Sequence, residues 1–208
     1  MFLVKISKAN CITYLSLVFG ILAIYFAIDK NILLEGSYFK YSLVFLILAG
    51  VCDMFDGKVA RMCKRTEEEK KLGIQLDSLA DTVNFLCAPV VIMMSLGMNS
   101  MFDILIYILF TICGVSRLAY FNVTVLEMTT VKYYNGLPVT STAIIFPVLG
   151  LLYDFIGIHS LSNIYVFVTV ITAFLFVFRF RIQKFNKLAY FIIPVLALLL
   201  ICLLLFVR

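Results

Sequence analysis

YSLVFLILAGVCDMFDGKVAR, residues 41–61, begins as a membrane helix and ends as something else. The run from Tyr41 to Val51 is apolar, and a helix there satisfies its own backbone polar groups in hydrocarbon. Asp53, Asp56, Lys58 and Arg61 then follow within nine residues. Ionisable groups at that depth are costly, so the end of this helix marks a polar cavity or the water interface.

Runs able to cross a bilayer recur on both sides of this stretch. They are CITYLSLVFGILAIYFAI (11–28), TVNFLCAPVVIMMSLGMNSMF (82–102) and LAYFIIPVLALLLICLLLFV (188–207). A helical span needs roughly 20 such residues. Across the 208 residues, 63% are hydrophobic and 14% charged, which excludes a soluble domain of this size. The runs do not alternate polar with apolar, so a β-barrel is excluded too. The expected fold is an all-α, polytopic integral membrane helical bundle of six to eight spans. Seven are placed, at 11–28, 38–61, 73–97, 101–121, 139–156, 161–178 and 188–207. Residues 1–208 are expected to form a single membrane-embedded domain, with MFLVKISKAN retained rather than cleaved as a leader. Pro89, Pro147 and Pro194 fall inside spans and are expected to kink them.

Lysine and arginine set the orientation. With the N-terminus cytoplasmic, that side holds Lys5, Lys8, Lys58, Arg61, Lys64, Arg65, Lys70, Lys71, Arg117, Lys132, Arg179, Arg181, Lys184 and Lys187, against Lys30, Lys40 and Arg208 opposite. The split is 14 to 3 of the 17 basic residues. The net charge of +5 is thus a topology signal that also suits an anionic lipid surface, and it does not point to nucleic acid. The six cysteines are scattered with no CxxC pair, so they read as small buried hydrophobes rather than disulfides or a zinc site. The single histidine, His159, is expected in a loop, and EEEKK (67–71) in a solvated loop.

The charged end of the second span has a periodicity. Asp53, Asp56, Gly57, Ala60 and Arg61 follow the i, i+3, i+4, i+7, i+8 pattern of one helix face. After the charged stretch MCKRTEEEKKL, Gly73, Asp77 and Asp81 recur at intervals of four on the next span. Two antiparallel neighbours with a short connection can bring these faces together just inside the cytoplasmic interface. Four carboxylates in one membrane pocket need positive charge. All-oxygen ligands suit Mg²⁺ or Mn²⁺ rather than zinc, and a pair of such ions is the usual clamp for phosphoryl chemistry. Gly57 and Ala60 clear space for a bulky ligand, and Arg61 can grip phosphate with a fork of donors. Carboxylates also line ion pathways, so a divalent-cation transporter is the rival from another class.

The pattern D-x2-D-G-x2-A-R … G-x3-D-x3-D resembles the signature of the CDP-alcohol phosphatidyltransferases, and all eight of its fixed positions are present. Eleven residues (62–72) separate Arg61 from Gly73, more than the family usually has. QLDSLADTVNFLCAP (75–89), SRLAYFNV (116–123) and NGLPVTST (135–142) are similar to motifs of the family's phosphatidylserine synthase branch, and NCIT (10–13) resembles the N-x-x-T that opens its first span. The resemblance covers about residues 7–145, and the last two spans carry no recognised motif.

The resemblance implies transfer of a phosphatidyl group from a CDP-linked lipid to the serine hydroxyl, with release of CMP, by a homodimer in the cell membrane. It implies two divalent cations, Mg²⁺ or Mn²⁺, with Asp53 and Asp77 bridging both and Asp56 holding one. Asp81 would take the proton from the attacking hydroxyl and touch the second metal. Gly57, Ala60 and Arg61 would contact the CDP moiety, with Gly73 beside it and Asn10 and Thr13 reaching the nucleotide from the first span. For serine, Arg117 could grip the carboxylate, with Asn84 and Asn122 as acceptors for the ammonium. A sister enzyme with inositol phosphate or glycerol phosphate as acceptor is the nearer alternative.

Overall fold

The computed structural model describes residues 10–28, 37–127, 133–183 and 189–206. Lys5, Lys8, Lys30, Lys132, Lys184, Lys187 and Arg208 of the orientation count lie outside them. The chain forms α1 (Cys11–Ile28), α2 (Ser37–Met62), α3 (Glu67–Thr82), a π-helical segment (Val83–Cys87), α4 (Ala88–Ser95) and α5 (Met101–Glu127). A short strand β1 (Tyr133–Asn135) follows, then α6 (Thr142–Gly150), α7 (Tyr153–Val177), β2 (Arg181–Gln183) and α8 (Ala189–Phe206). This is an all-α membrane bundle with one small exception. β1 and β2 pair antiparallel, Tyr133 with Gln183 and Asn135 with Arg181, where the sequence suggests loops.

Among the described residues, four helical stretches are long and apolar enough to cross a membrane: Cys11–Ile28, Glu67–Ser95, Met101–Thr124 and Val139–Ile156. Leu161–Val177 and Tyr190–Phe206 are shorter apolar helices, and α2 is the remaining member of the expected seven, 26 residues long with its charged end. The outward faces are apolar as well. Leu15, Val18 and Tyr25 of α1, Leu105, Ile108 and Ile112 of α5, and Phe191, Val195 and Leu199 of α8 are all exposed, the pattern of helices meant for lipid.

Two boundaries differ from the expected ones. α7 is continuous from Tyr153 after a turn at 151–152, so His159 lies within a helix instead of a loop. α3 begins at Glu67, so EEEKK is helical. Thr66 accepts from the Glu69 N–H while the Glu69 carboxylate accepts from the Thr66 N–H, a reciprocal cap. The connection between α2 and α3 is therefore only residues 63–66, and the extra length seen in the sequence is carried as helix.

Small residues let the helices close up. α1 buries Thr13, Ser16, Gly20, Ala23 and Ala27 on one face, and Ser16 Oγ donates to Ala49 O at 2.9 Å. A Cβ on Gly20 would overlap the Asn84 side chain, and one on Gly50 would stand 2.6 Å from Ala143 Cβ. Behind the site, Phe85, Leu86, Met93, Phe110, Phe146 and Tyr165 form the centre of the core. Pro89 has no N–H for the Phe85 carbonyl four residues back. Thr142 Oγ1 donates to that carbonyl instead, at 3.1 Å, and the chain widens into a π turn there. Gly136, at φ 76°, turns the β1 strand into α6 and donates to Phe180 O, which ties this loop to the end of α7.

Candidate active site at the α2–α3 seam

The face pattern read from the sequence closes in space. α2 and α3 run antiparallel across a four-residue turn, residues 63–66, so positions on the two helices pair in opposite order. Asp53 lies beside Asp81, and Asp56 beside Asp77, each pair within side-chain hydrogen-bond reach. Ligand oxygens of Asp53, Asp56 and Asp77 all lie within 4.8 Å of one another. Asp56 and Asp81 are buried.

Three further contacts hold the acids. Thr13 Oγ1 donates to Asp56 Oδ2 at 3.0 Å, so α1 orients the Asp56 carboxylate directly. Arg117 of α5 is 9% exposed, lies 5.2 Å from the Phe121 ring centroid, and its charge reaches Asp53 and Asp81. Ser78, one residue past Asp77, donates to Asn122 Oδ1 at 3.0 Å and joins α3 to α5.

The donor set fits a hard divalent cation. Three carboxylates converge, and Asp77 Oδ1 is buried without a hydrogen-bond partner. An orphaned carboxylate oxygen in a desolvated pocket is costly unless a cation takes it. Asp53, Asp56 and Asp77 would hold such an ion, with Asp81 next to Asp53.

The remaining expected residues distribute unevenly. Gly57 is exposed at the mouth, and a Cβ there would stand 3.9 Å from Arg61 Nη1, so Arg61 folds back over Gly57. Ala60 is half-buried on the same side of α2. Asn10 is buried, and a Cβ on Gly73 would stand 3.5 Å from its Oδ1. Asn122 lies next to α3 through Ser78. Asn84 is fully buried inside the π segment, where its Nδ2 donates to Ser16 Oγ at 2.8 Å and its Oδ1 has no partner. The π turn changes the helical phase after Thr82, so a straight α-helical count from Asp77 does not describe its direction.

Sequence reasoning missed three features around the site. Thr13, expected beside the nucleotide, touches an acid directly. Arg65, counted only for orientation, places Nη1 3.2 Å from where a Gly73 Cβ would stand. Tyr190 of α8 packs against Phe55 and beneath Lys58, with Lys58 Nζ 5.5 Å from the ring centroid. The last helix thus borders the site although its sequence carries no motif. The capping pattern Thr66-x-x-Glu69 was the available signal for the turn that carries Arg65.

The family model for CDP-alcohol phosphatidyltransferase matches residues 7–207. A CDP-diacylglycerol–serine O-phosphatidyltransferase of Saccharomyces cerevisiae is 42% identical over 116 residues, covering 52% of this chain and 40% of the yeast protein. A protein of the same name from Bacillus subtilis is 30% identical over 146 residues, covering 69% of this chain and 75% of the relative. One from Helicobacter pylori is 30% identical over 185 residues, covering 86% and 72%. The chain spans less than half the length of the yeast relative and of its mycobacterial counterparts. The match to the family model runs over nearly the whole chain and includes the α2–α3 seam with all four acids, so the chain belongs to the CDP-alcohol phosphatidyltransferase family.

Proposed function

We propose that this chain transfers a phosphatidyl group from CDP-diacylglycerol, or from an archaeal CDP-ether lipid, to the hydroxyl of L-serine. The products are phosphatidylserine or its ether analogue, and CMP. The carrying observation is the convergence of Asp53, Asp56 and Asp77 with Asp81 adjacent, inside a chain of this family. The name shared by its relatives supports serine as acceptor. Family membership favours group transfer over cation transport. Residues 1–208 act in this proposal as one catalytic unit, as a homodimer in the cell membrane.

When bound, two Mg²⁺ or Mn²⁺ ions would supply charge stabilisation on the phosphoryl oxygens. Asp53, Asp56 and Asp77 would hold these ions at the pyrophosphate end of the CDP-lipid, and Thr13 keeps Asp56 in orientation. Gly57 and Ala60 leave the α2 face open to the ligand, and Arg61 neutralises phosphate charge. Asp81 accepts the serine hydroxyl proton as the new phosphorus–oxygen bond forms and the bond to CMP breaks. Arg117 takes the serine carboxylate, and Asn122, with Asn84 deeper in the bundle, offers acceptors to its ammonium. Purified protein with CDP-lipid, Mn²⁺ or Mg²⁺ and a panel of alcohols tests this directly. CMP release should require serine, and release with inositol phosphate or glycerol phosphate alone would reassign the acceptor.

Arg117→Lys keeps the charge and loses the two-pronged geometry. The KM for serine should rise ~10-fold or more, about 1.4 kcal/mol, with CDP-lipid binding little changed. A collapse of CDP-lipid affinity with an unmoved serine KM would place Arg117 on the phosphates.

The pocket opens to the cytoplasm in this proposal, on the 14-to-3 split of basic residues. A cysteine placed at residue 64 in a cysteine-free background should react with an impermeant thiol reagent only from the cytoplasmic side. Labelling from outside intact cells would invert the orientation.

A further inference from the structure

Thr142 opens α6 with a fully buried side chain. Its Oγ1 stands 3.1 Å from two carbonyl oxygens, Phe85 O on the π segment and Val139 O in the turn just before α6. One hydroxyl hydrogen serves both. The next residue of α6 reaches α2: a Cβ on Gly50 would stand 2.6 Å from Ala143 Cβ and 3.8 Å from Phe85 Cε1. Gly50 lies three residues before Asp53, and Phe85 lies four residues after Asp81. Because α2 and α3 are antiparallel, both contacts fall about 5 Å, one helical turn, beyond these acids on the side away from residues 63–66. α1 grips the same level, with Ser16 donating to Ala49 O and Asn84 donating to Ser16. The pair Asp53 and Asp81 thus stands on a packed layer supplied by α1 and by the start of α6.

This layer bears on the direction of Asp81. The Ala88 N–H donates to Val83 O, five residues back, so the turn holds one residue more than an α-helix would. One extra residue changes helical phase by roughly 100°. On the far side of the π segment, Ala88, Pro89, Ile92 and Met93 of α4 are buried in the core. Collapse of the π turn to α geometry would therefore swing the preceding segment, and Asp81 just before it, away from Asp53. In α geometry Pro89 supplies no N–H to the Phe85 carbonyl. In the geometry observed, the Thr142 hydroxyl takes that oxygen. Asp77 is a turn further from the π segment, so Asp81 is the acid that a loosened π turn displaces first.

Given the transfer function proposed above, we infer that Thr142 is a positioning residue for the proton-accepting carboxylate: its hydroxyl holds the π turn in the phase that aims Asp81 at Asp53 and the reacting phosphate. Thr142 lies outside the acid signature and acts through the Phe85 backbone. Thr142→Val keeps the shape and removes the hydroxyl, and Thr142→Ser keeps the hydroxyl. Turnover is measured with whichever alcohol the wild type accepts and expressed per site, with sites counted by Mn²⁺-dependent CMP binding. Thr142→Val should lose ~10-fold or more in kcat, within the range for a small misplacement of a reacting group, with acceptor KM and Mn²⁺ affinity little changed. Thr142→Ser should keep most of the turnover. In the Asp81→Asn background, Thr142→Val should cost nothing further, because the group it aims is gone. Amide exchange over residues 81–90, followed by mass spectrometry in detergent, reads the link without turnover. It should rise in Thr142→Val and not in Thr142→Ser. Wild-type turnover in Thr142→Val, equal losses in both variants, a loss that adds to that of Asp81→Asn, or Mn²⁺ affinity that falls as far as turnover would each overturn the assignment. The transfer function fails separately, if the wild type releases no CMP from CDP-lipid with any alcohol. Unchanged exchange in Thr142→Val overturns the present inference in either case.

Discussion

Asp81→Asn should bind Mn²⁺ and CMP nearly as the wild type does and lose turnover by at least ~10²-fold, the usual contribution of a positioned general base. The converging ligand oxygens belong to Asp53, Asp56 and Asp77, so the substitution leaves that group intact. The introduced amide would still donate a hydrogen bond toward Asp53, the neighbour Asp81 already contacts. What it cannot do is accept the proton of the serine hydroxyl. Serine is a weak nucleophile, and burial of Asp81 keeps bulk water from substituting as the base. Single-turnover CMP release, measured beside CMP binding, separates the two effects. Full turnover by Asp81→Asn would remove this residue from the mechanism.

Asp77→Asn should do the opposite and strike metal binding first. Its Oδ1 is the buried carboxylate oxygen without a partner, and its other contact is with Asp56. An amide removes charge from a site whose ligands are all anionic oxygens. Loss of an outer-shell partner typically costs ~10–100-fold in metal affinity, and loss of a direct ligand should cost more. Activity should disappear at Mn²⁺ concentrations that saturate the wild type and return in part at much higher ones. Asp53→Asn and Asp56→Asn should behave similarly. Titration of Mn²⁺ by calorimetry or electron paramagnetic resonance, with CMP present, gives the constants. Wild-type Mn²⁺ affinity in Asp77→Asn would disprove the site.

The four acids were legible because helical periodicity is local. Intervals of three and four place residues on one face whatever the rest of the chain does. The apolar runs were legible for a similar reason, since a lipid environment selects long uncharged segments. Boundaries were less legible. EEEKK looks like a solvated loop by charge, yet the Thr66–Glu69 cap makes it the first turns of α3. The stretch around His159 looks like a break by composition, yet Tyr153–Val177 is one helix.

By itself, the sequence determined a helical membrane protein with two acidic faces at one end of adjacent spans, because hydropathy and helix period are properties of neighbouring residues. Tertiary structure alone decided which acid meets which, that Thr13 orients Asp56, that Asn84 turns toward Ser16 beyond the start of the π segment, and that Tyr190 borders the site. It also decided that Arg65 faces Gly73 and Asn10. Each of these joins residues far apart in the chain or beyond a break in helical phase. Close packing and the pairing of buried polar groups settle such contacts, and neither is carried by local spacing.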